Sequence, residues 1–177
     1  MPGGGPLALL RRRAILSAVG RKSAGLLLYR FRDDALQVLL VHPGGPFWIR
    51  RDAGAWTVPK GEYEPTEEPL AAALREFEEE LGCRPDACEW IELAPIRQRG
   101  GKLVTAFAGQ ADFDASRLVS NTFSMEWPPR SGQMREFPEV DRAQWYAIAE
   151  ARQKILASQV PLLDELERRA TPGGRED

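Results

Sequence analysis

One segment near the middle of the chain, residues 70–81, is strongly amphipathic and constrains the fold more than any other. At 3.6 residues per turn, its large apolar side chains fall within about 40° of Leu70 on a helical wheel; they are Leu74, Phe77 and Leu81. Gly82 follows at the position that favours a helix C-cap. The pattern predicts a helix that packs one face against the body of the domain.

The far side of this helix carries three carboxylates, Glu76, Glu79 and Glu80, clustered within roughly 100°. Like charges at such spacings cost on the order of 0.2–0.5 kcal/mol per pair, and acid near a helix C-terminus opposes the helix dipole. The arrangement becomes favourable if a hard divalent cation binds there, because Mg²⁺ and Mn²⁺ prefer carboxylate oxygen. The alternative is an acid-rich face that is only solvated.

Strand-like segments lie on both sides of the predicted helix. They are residues 23–30, 36–42, 90–97, 102–109, 122–127 and 143–148, with short extended pieces at 47–49 and 55–58. Asp33 and Asp34 predict a hairpin turn, and residues 128–138 a polar loop. Further helices are predicted at 149–157 and 161–169. This order predicts an α+β fold, an α/β/α sandwich around a central mixed sheet.

The length of 177 residues suits one domain, which we place at residues 23–170. Residues 1–22 hold five basic residues and no acid, and are interpreted as a basic, flexible extension; residues 171–177 are expected to be a disordered tail. The net charge of the whole chain is −2, so the residues after this basic extension carry a clear excess of acid. Nucleic acid is therefore an unlikely partner.

The rarer residue types exclude several kinds of site. A single histidine, His42, excludes a His-rich zinc site, and the spacing of Cys83 and Cys88 favours two ordinary thiols in a reducing compartment. No apolar run is long enough to span a membrane. We therefore expect a cytoplasmic protein with no membrane partner.

The stretch 61–83 resembles the Nudix box, G-x5-E-x7-R-E-U-x-E-E-x-G-U, in which U is aliphatic. All seven literal positions match: Gly61, Glu67, Arg75, Glu76, Glu79, Glu80 and Gly82. The departures are apolar, with Phe77 at the first U and Cys83 at the last. Seven fixed positions make the resemblance specific, and it implies the Nudix-type sandwich already predicted from the strand order.

The resemblance also implies a role for each matching residue. Glu76, Glu79, Glu80 and the Gly61 carbonyl would be ligands of Mg²⁺ or Mn²⁺. Arg75 would hold a carboxylate in place, with Glu67 or Glu76 as its partner. We therefore count Glu76, Glu79 and Arg75 among the catalytic residues.

Two features outside the box extend the resemblance. The lead-in Trp56–Gly61 is similar to the W-x-x-P-K-G of many Nudix enzymes and makes Lys60 a candidate for phosphate contact. Glu139, six residues before Trp145, resembles a glutamate of diadenosine tetraphosphate hydrolases. We rank it ahead of Glu136 as the extra catalytic acid. The general base is Glu76, Glu79 or Glu139, and the sequence does not choose among them.

Aromatic and basic residues after strand 36–42 form a second candidate group. Phe47 and Trp48 follow a Gly-rich loop and are preferred as a lid, and Arg50 beside them could meet phosphates. Trp48 and Arg50 are thus predicted to bind substrate. Trp127 is another stacking candidate, although buried core aromatics are the commoner case.

These observations predict a metal-dependent pyrophosphohydrolase. Its substrate is expected to be a nucleoside diphosphate-linked compound, a dinucleoside polyphosphate or a nucleoside triphosphate. The alternative is a catalytically silent Nudix module that binds nucleotides or RNA as a sensor, but such modules typically lose box carboxylates. Oligomeric state, monomer or homodimer, is left open.

Overall fold

The computed structural model describes residues 21–170. The strands are β1 (Lys22–Arg32), β2 (Ala35–Pro43), β3 (Lys60–Glu62), β4 (Ile91–Glu92), β5 (Ile96–Arg97), β6 (Leu103–Gln110), β7 (Thr122–Glu126), β8 (Met134–Pro138) and β9 (Val140–Ala147). The α-helices are α1 (Pro69–Leu81), α2 (Ile148–Lys154) and α3 (Val160–Arg169). The expected disordered tail 171–177, and residues 1–20 of the expected extension, lie outside the described residues.

The central sheet has seven strands and is mixed, as predicted. Its order is β4-β6-β1-β2-β9, with β3 paired to β1 and β5 paired to β6. β1 runs parallel to β6 and antiparallel to β2 and β3. The β1–β2 hairpin turns at Asp33 and Asp34, whose φ angles of 50° and 60° are those of a tight primed turn.

Helices cover both faces of this sheet because successive strand residues point to opposite sides. Leu26 and Leu28 of β1 are buried in one cluster with residues of α1. Leu27 and Tyr29 are buried in the other, with residues of α2 and α3. The predicted α/β/α sandwich is therefore confirmed.

Three predicted elements differ from the structure. Residues 134–138, expected to belong to a loop, form β8 and pair with β7 in a separate two-stranded sheet. The predicted strand 90–97 is split into β4 and β5 around Pro95, which has no N–H to donate to a ladder. The short piece 47–49 is a turn rather than extended.

Helix α1 begins with Pro69 and ends at Gly82, whose φ of 90° is the left-handed C-cap conformation. Its fully buried residues are Ala72, Ala73, Phe77 and Leu81, whereas Leu70 and Leu74 are only partly buried. Compared with the face predicted from Leu70, the buried face of the helix is therefore rotated toward Ala72 and Ala73. Among residues 21–170, no helix is long and apolar enough to cross a membrane.

Candidate active site

Glu80 lies on the buried side of α1, not on the solvent side where the wheel centred on Leu70 placed it. At 100° per residue, position 80 is only about 20° from position 73, and Ala73 is fully buried. Because alanine side chains are small, the helix packs closely against the sheet on this side. Glu80, which lies on the same side of the helix, is therefore buried as well. The pair Ala72-Ala73 was the sequence signal that could have shown this.

The Glu80 carboxyl is the most perturbed acid of the site. Its Oε2 atom is buried and has no hydrogen-bond partner. Burial, and then the neighbouring charges of Glu76 and Glu139, raise the pKa of Glu80 to about 8, although Lys60 acts in the opposite direction. A buried acceptor without a donor costs free energy, so this oxygen is suited to a cation that the protein itself does not supply.

Glu76 lies against the backbone of Gly61 in β3. A Cβ atom built on Gly61 would stand 1.9 Å from the Glu76 Cδ atom, so no residue with a side chain fits there without displacing the carboxylate. Gly61 is held in place by its pairing with Ala24 of β1. The first glycine of the box therefore brings its backbone, with the predicted carbonyl ligand, next to the carboxylates.

Arg75 holds two carboxylates, so both partners proposed from the sequence are found. Its Nε and Nη2 atoms donate to the two oxygens of Glu67 at 2.9 and 3.1 Å, and Nη1 donates to Glu76 at 2.7 Å. Nη1 is also 3.4 Å from Glu79. This fork orients the carboxylates, and the Arg75 guanidinium lowers the pKa of Glu67.

Lys60, at the start of β3, lies near the same carboxylates. Burial lowers the pKa of its ammonium group, and nearby Lys102 adds to the effect, whereas Glu80, Glu76 and Glu62 favour the charged form. Lys102 is itself occupied by Glu62 at 2.9 Å. The structure thus brings Lys60 to the centre that the sequence predicted.

Glu139 reaches the centre from the connection between β8 and β9. Loss of hydration, then Glu76 and Glu79, raise its pKa, so these acids feel one another's charge. Backbone bonds fix this region: Asn121 donates to the Glu79 carbonyl at 3.0 Å, and Glu139 donates to the Asn121 carbonyl at 2.8 Å. Glu136, ranked second, instead accepts from Thr122 at 2.9 Å on an exposed strand.

The donor set fits a hard divalent cation. The carboxylates of Glu76, Glu79, Glu80 and Glu139 are close enough to interact electrostatically, and Glu76 lies against the Gly61 backbone, so the oxygen donors are of the kind that such ions prefer. Within residues 21–170 no three of these side chains already stand at coordinating distance. Arg75 contacts both Glu76 and Glu79, so a cation bound by these carboxylates would compete with Arg75 for their oxygens.

The remaining predicted substrate residues lie in the loop after β2. Arg50 is exposed, and Trp48 is half-buried with the Arg51 guanidinium 5.4 Å from its ring. Phe47 is 58% exposed and packs edge-to-face on Trp127 at 5.4 Å. The structure thus joins Phe47 to Trp127, a pairing that the sequence did not indicate.

His42, the single histidine, lies near the end of β2 and links two other parts of the chain. It is fully buried, with Nδ1 2.7 Å from Asp141 and Nε2 2.7 Å from the carbonyl of Arg51. It also packs against Trp56. His42 therefore connects the loop after β2 to the start of β9. Its partner there, Asp141, is two residues after Glu139.

Comparison with known proteins agrees with the observed fold. The chain is similar to the NUDIX domain of Shewanella oneidensis NrtR, solved with ADP ribose (17% identity, 94% of this chain and 99% of that chain, TM-score 0.61). It is also similar to a C. elegans Ap4A hydrolase (20% identity, 83% and 96%, TM-score 0.57) and to the M. smegmatis Nudix hydrolase RenU (21%, 87% and 89%, TM-score 0.57).

At these identities the solved structures establish the fold. The family is established by sequence, since the family model described as NUDIX domain matches residues 20–166, most of the chain. The chain therefore belongs to the Nudix family and is a Nudix hydrolase, as the box at 61–83 predicted.

Proposed function

We propose that this Nudix hydrolase uses Mg²⁺ or Mn²⁺ to cleave a phosphoanhydride bond in a nucleotide substrate. The observation that carries the proposal is the buried, unpartnered Oε2 of Glu80, surrounded by Glu76, Glu139 and Lys60. A domain gains no stability from an acid in such a place. A bound cation would give that oxygen a partner.

Each residue has a distinct part in the proposed reaction. Glu76, Glu79, Glu80 and the Gly61 carbonyl would hold the cations, and Arg75 would keep Glu76 and Glu67 oriented. Bound divalent ions lower the pKa of water and neutralise phosphate oxygens. Lys60 would contact a substrate phosphate as a point charge.

Glu139 is our candidate for the general base. Its raised pKa makes it a better proton acceptor than an ordinary surface glutamate, and it approaches from a different element than the α1 carboxylates. It is therefore free to take a proton from the attacking water while the helix acids hold metal. Glu76 and Glu79 are already engaged by Arg75.

The substrate class follows from the family and the sequence together. A dinucleoside polyphosphate or a nucleoside triphosphate suits the Glu139-to-Trp145 segment, and one similar structure is an Ap4A hydrolase. A nucleoside diphosphate-linked compound is the third member of the class, since a similar NUDIX domain was solved with ADP ribose. Residues 23–170 would act as one catalytic domain.

The decisive experiment is a hydrolysis panel of ATP, diadenosine tetraphosphate and ADP-ribose, with Mg²⁺ or Mn²⁺ and with chelator. Glu80→Gln is compared with Glu78→Gln, because Glu78 lies on the same helix but is exposed and pairs with Arg84 at 2.9 Å. We expect at least one substrate to be cleaved, with loss in chelator and a drop of about 100-fold or more in Glu80→Gln only.

Two results would contradict the proposal. Equal activity in Glu80→Gln and wild type would remove Glu80 from the metal centre. Absence of cleavage by folded wild type, with nucleotide binding retained, would instead identify the silent binding module.

A further inference from the structure

The loop 44–51 and the β7–β8 hairpin form one continuous surface that the proposed reaction does not use. Gly44 lies so close to Pro138 that a Cβ atom on Gly44 would be 1.9 Å from the Pro138 carbonyl oxygen. A Cβ on Gly45 would be 3.0 Å from the Phe123 ring, and Phe47 contacts Trp127. The loop therefore runs along the hairpin from its base to its tip.

This surface starts at the carboxylate centre. Gly44 donates to the carbonyl of Glu139 at 2.9 Å, and Asn121, at the base of the hairpin, donates to the carbonyl of Glu79 at 3.0 Å. Phe47 is three residues from Gly44, so its Cα lies within about 11 Å of the loop's contact with Glu139. A nucleotide with its phosphates at the carboxylates can reach that far.

The two faces of the hairpin differ in chemistry. Cross-strand pairs share a face, so the face toward the loop contains Phe123 with Phe137, Met125 with Arg135, and then Trp127. The opposite face contains both acids, Glu126 and Glu136, together with Met134. We call the first set the aromatic face.

Charge on the loop side of this surface is wholly positive. Loop 44–51 carries Arg50 and Arg51 with no acid, and the aromatic face carries Arg135. Asp52, the next acid along the chain, is held by Lys154 and by the Trp56 indole. An aromatic pair with one exposed ring and with arginines on the same surface is the combination that binds a base and its attached phosphates.

We propose that the exposed side of the Phe47–Trp127 pair stacks on the nucleobase of the substrate, with Arg50 and Arg135 facing its phosphates. This subsite rests on the proposed function, since it supposes a nucleotide at the carboxylates. It makes the enzyme select substrates that carry a base. Because Phe47 is 58% exposed, a ring stacked there covers surface that is otherwise open to water.

The test uses one probe with a base and one without. Affinities of Phe47→Ala and Trp127→Phe for methylene-bridged diadenosine tetraphosphate are measured by calorimetry with Mg²⁺, and hydrolysis of ATP and of inorganic tripolyphosphate is followed in parallel. Met134→Ala is the matched control, because Met134 is 66% exposed on the opposite face of the same hairpin. Melting temperatures verify that each variant folds.

Loss of one aromatic stack should weaken binding of the bridged probe roughly 5- to 150-fold in Phe47→Ala, and less in Trp127→Phe. KM for ATP should rise similarly, whereas tripolyphosphate hydrolysis and Met134→Ala should match wild type. Equal losses for ATP and tripolyphosphate, or none for either, would overturn the subsite. The subsite would also be overturned if Met134→Ala weakened binding as much as Phe47→Ala does. That result is expected if the hairpin is instead a contact surface between two copies of the chain.

Failure of the subsite differs from failure of the proposed function. If wild type hydrolyses ATP and Phe47→Ala does so with unchanged KM, only the subsite is wrong. If wild type neither binds the bridged probe nor cleaves either phosphate compound, the proposed function is wrong and the subsite falls with it.

Discussion

At the scale of single residues, Glu80 is the acid of the proposed metal site whose burial bears most directly on stability. Burial is the chief cause that raises its folded-state pKa to about 8 from the ordinary glutamate value of 4.5. Between these values the folded protein holds more protons than the unfolded chain. The contribution of Glu80 to the free energy of unfolding therefore falls as the pH rises through this window, and is constant above it.

Replacing Glu80 with glutamine removes this penalty. In chelator, we expect Glu80→Gln to be more stable than wild type at pH 9, by on the order of 1–3 kcal/mol, and to differ much less at pH 5. Urea unfolding at both pH values measures the difference. Glu78→Gln, altering an exposed acid of the same helix, should show no such pH dependence, and a parallel slope in both variants would rule out Glu80 as its source.

The contact between Gly61 and Glu76 predicts a coupled effect. Gly61→Ala should lower the melting temperature and the activity, since its Cβ would overlap the Glu76 carboxylate at 1.9 Å. Truncating the opposing side chain removes the overlap. The double variant Gly61→Ala/Glu76→Ala should therefore melt higher than Gly61→Ala alone, and a strictly additive loss would show that the overlap is not the cause.

Arg75 provides a third prediction at this scale. Lysine keeps the charge but cannot donate to Glu67 and Glu76 through one planar fork. We expect Arg75→Lys to lower kcat by about 10- to 100-fold, as loss of an orienting partner typically does, with little change in melting temperature. Arg84→Lys, whose contact with Glu78 is on the exposed side, is the control and should retain wild-type kcat.

At the scale of elements, the sequence predicted those features that depend on residues close together in the chain. Local patterns of apolar and turn-forming residues predict three features of the structure. They are the helix at 70–81, the β1–β2 turn at Asp33-Asp34 and the burial of both faces of the sheet. Strand β8 does not follow from such patterns, since it contains two charged residues and a terminal proline, and it exists through pairing with β7. Likewise, the burial of Glu80 depends on how closely α1 packs against the sheet, which a helical wheel alone does not contain.

The loop after β2 is held by an element-to-element contact that the sequence did not reveal. His42 joins β2, the Arg51 carbonyl and Asp141 of β9, and it is fully buried. His42→Phe keeps a ring against Trp56 but removes the polar contacts to Asp141 and to the Arg51 carbonyl, a loss of roughly 1–3 kcal/mol. Since the loop carries Phe47 and Arg50, KM should rise more than kcat falls.

Steady-state kinetics and urea unfolding of His42→Phe test this role. Asp141→Asn is the matched variant, because it keeps an acceptor for the histidine and should lose less stability. A normal KM in a destabilised His42→Phe protein would show that His42 supports the fold without positioning the loop.

At the scale of the whole molecule, the carboxylate centre lies where separate parts of the sandwich meet. α1 contributes Glu76, Glu79 and Glu80, β3 contributes Gly61, and Glu139 comes from the connection that leads into β9. A cation held by the α1 carboxylates and the Gly61 carbonyl would join α1 to β3, and through β3 to β1 in the middle of the sheet. Metal binding should consequently stabilise the entire domain rather than one helix.

Ligand that binds only the folded state adds about 2.7 kcal/mol at a concentration 100 times its Kd, or roughly 5–10 °C for a chain of this size. We expect Mn²⁺ to raise the melting temperature of wild type and of Glu78→Gln by this order, and to raise that of Glu79→Gln and Glu80→Gln far less. Calorimetric scans with Mn²⁺ and with chelator measure it. A bound ion would give the Glu80 Oε2 atom a partner and would reduce the repulsion among the neighbouring acids, so the gain in melting temperature should grow with pH up to about 8. An identical Mn²⁺ shift in Glu78→Gln and Glu80→Gln would mean that the ion binds elsewhere.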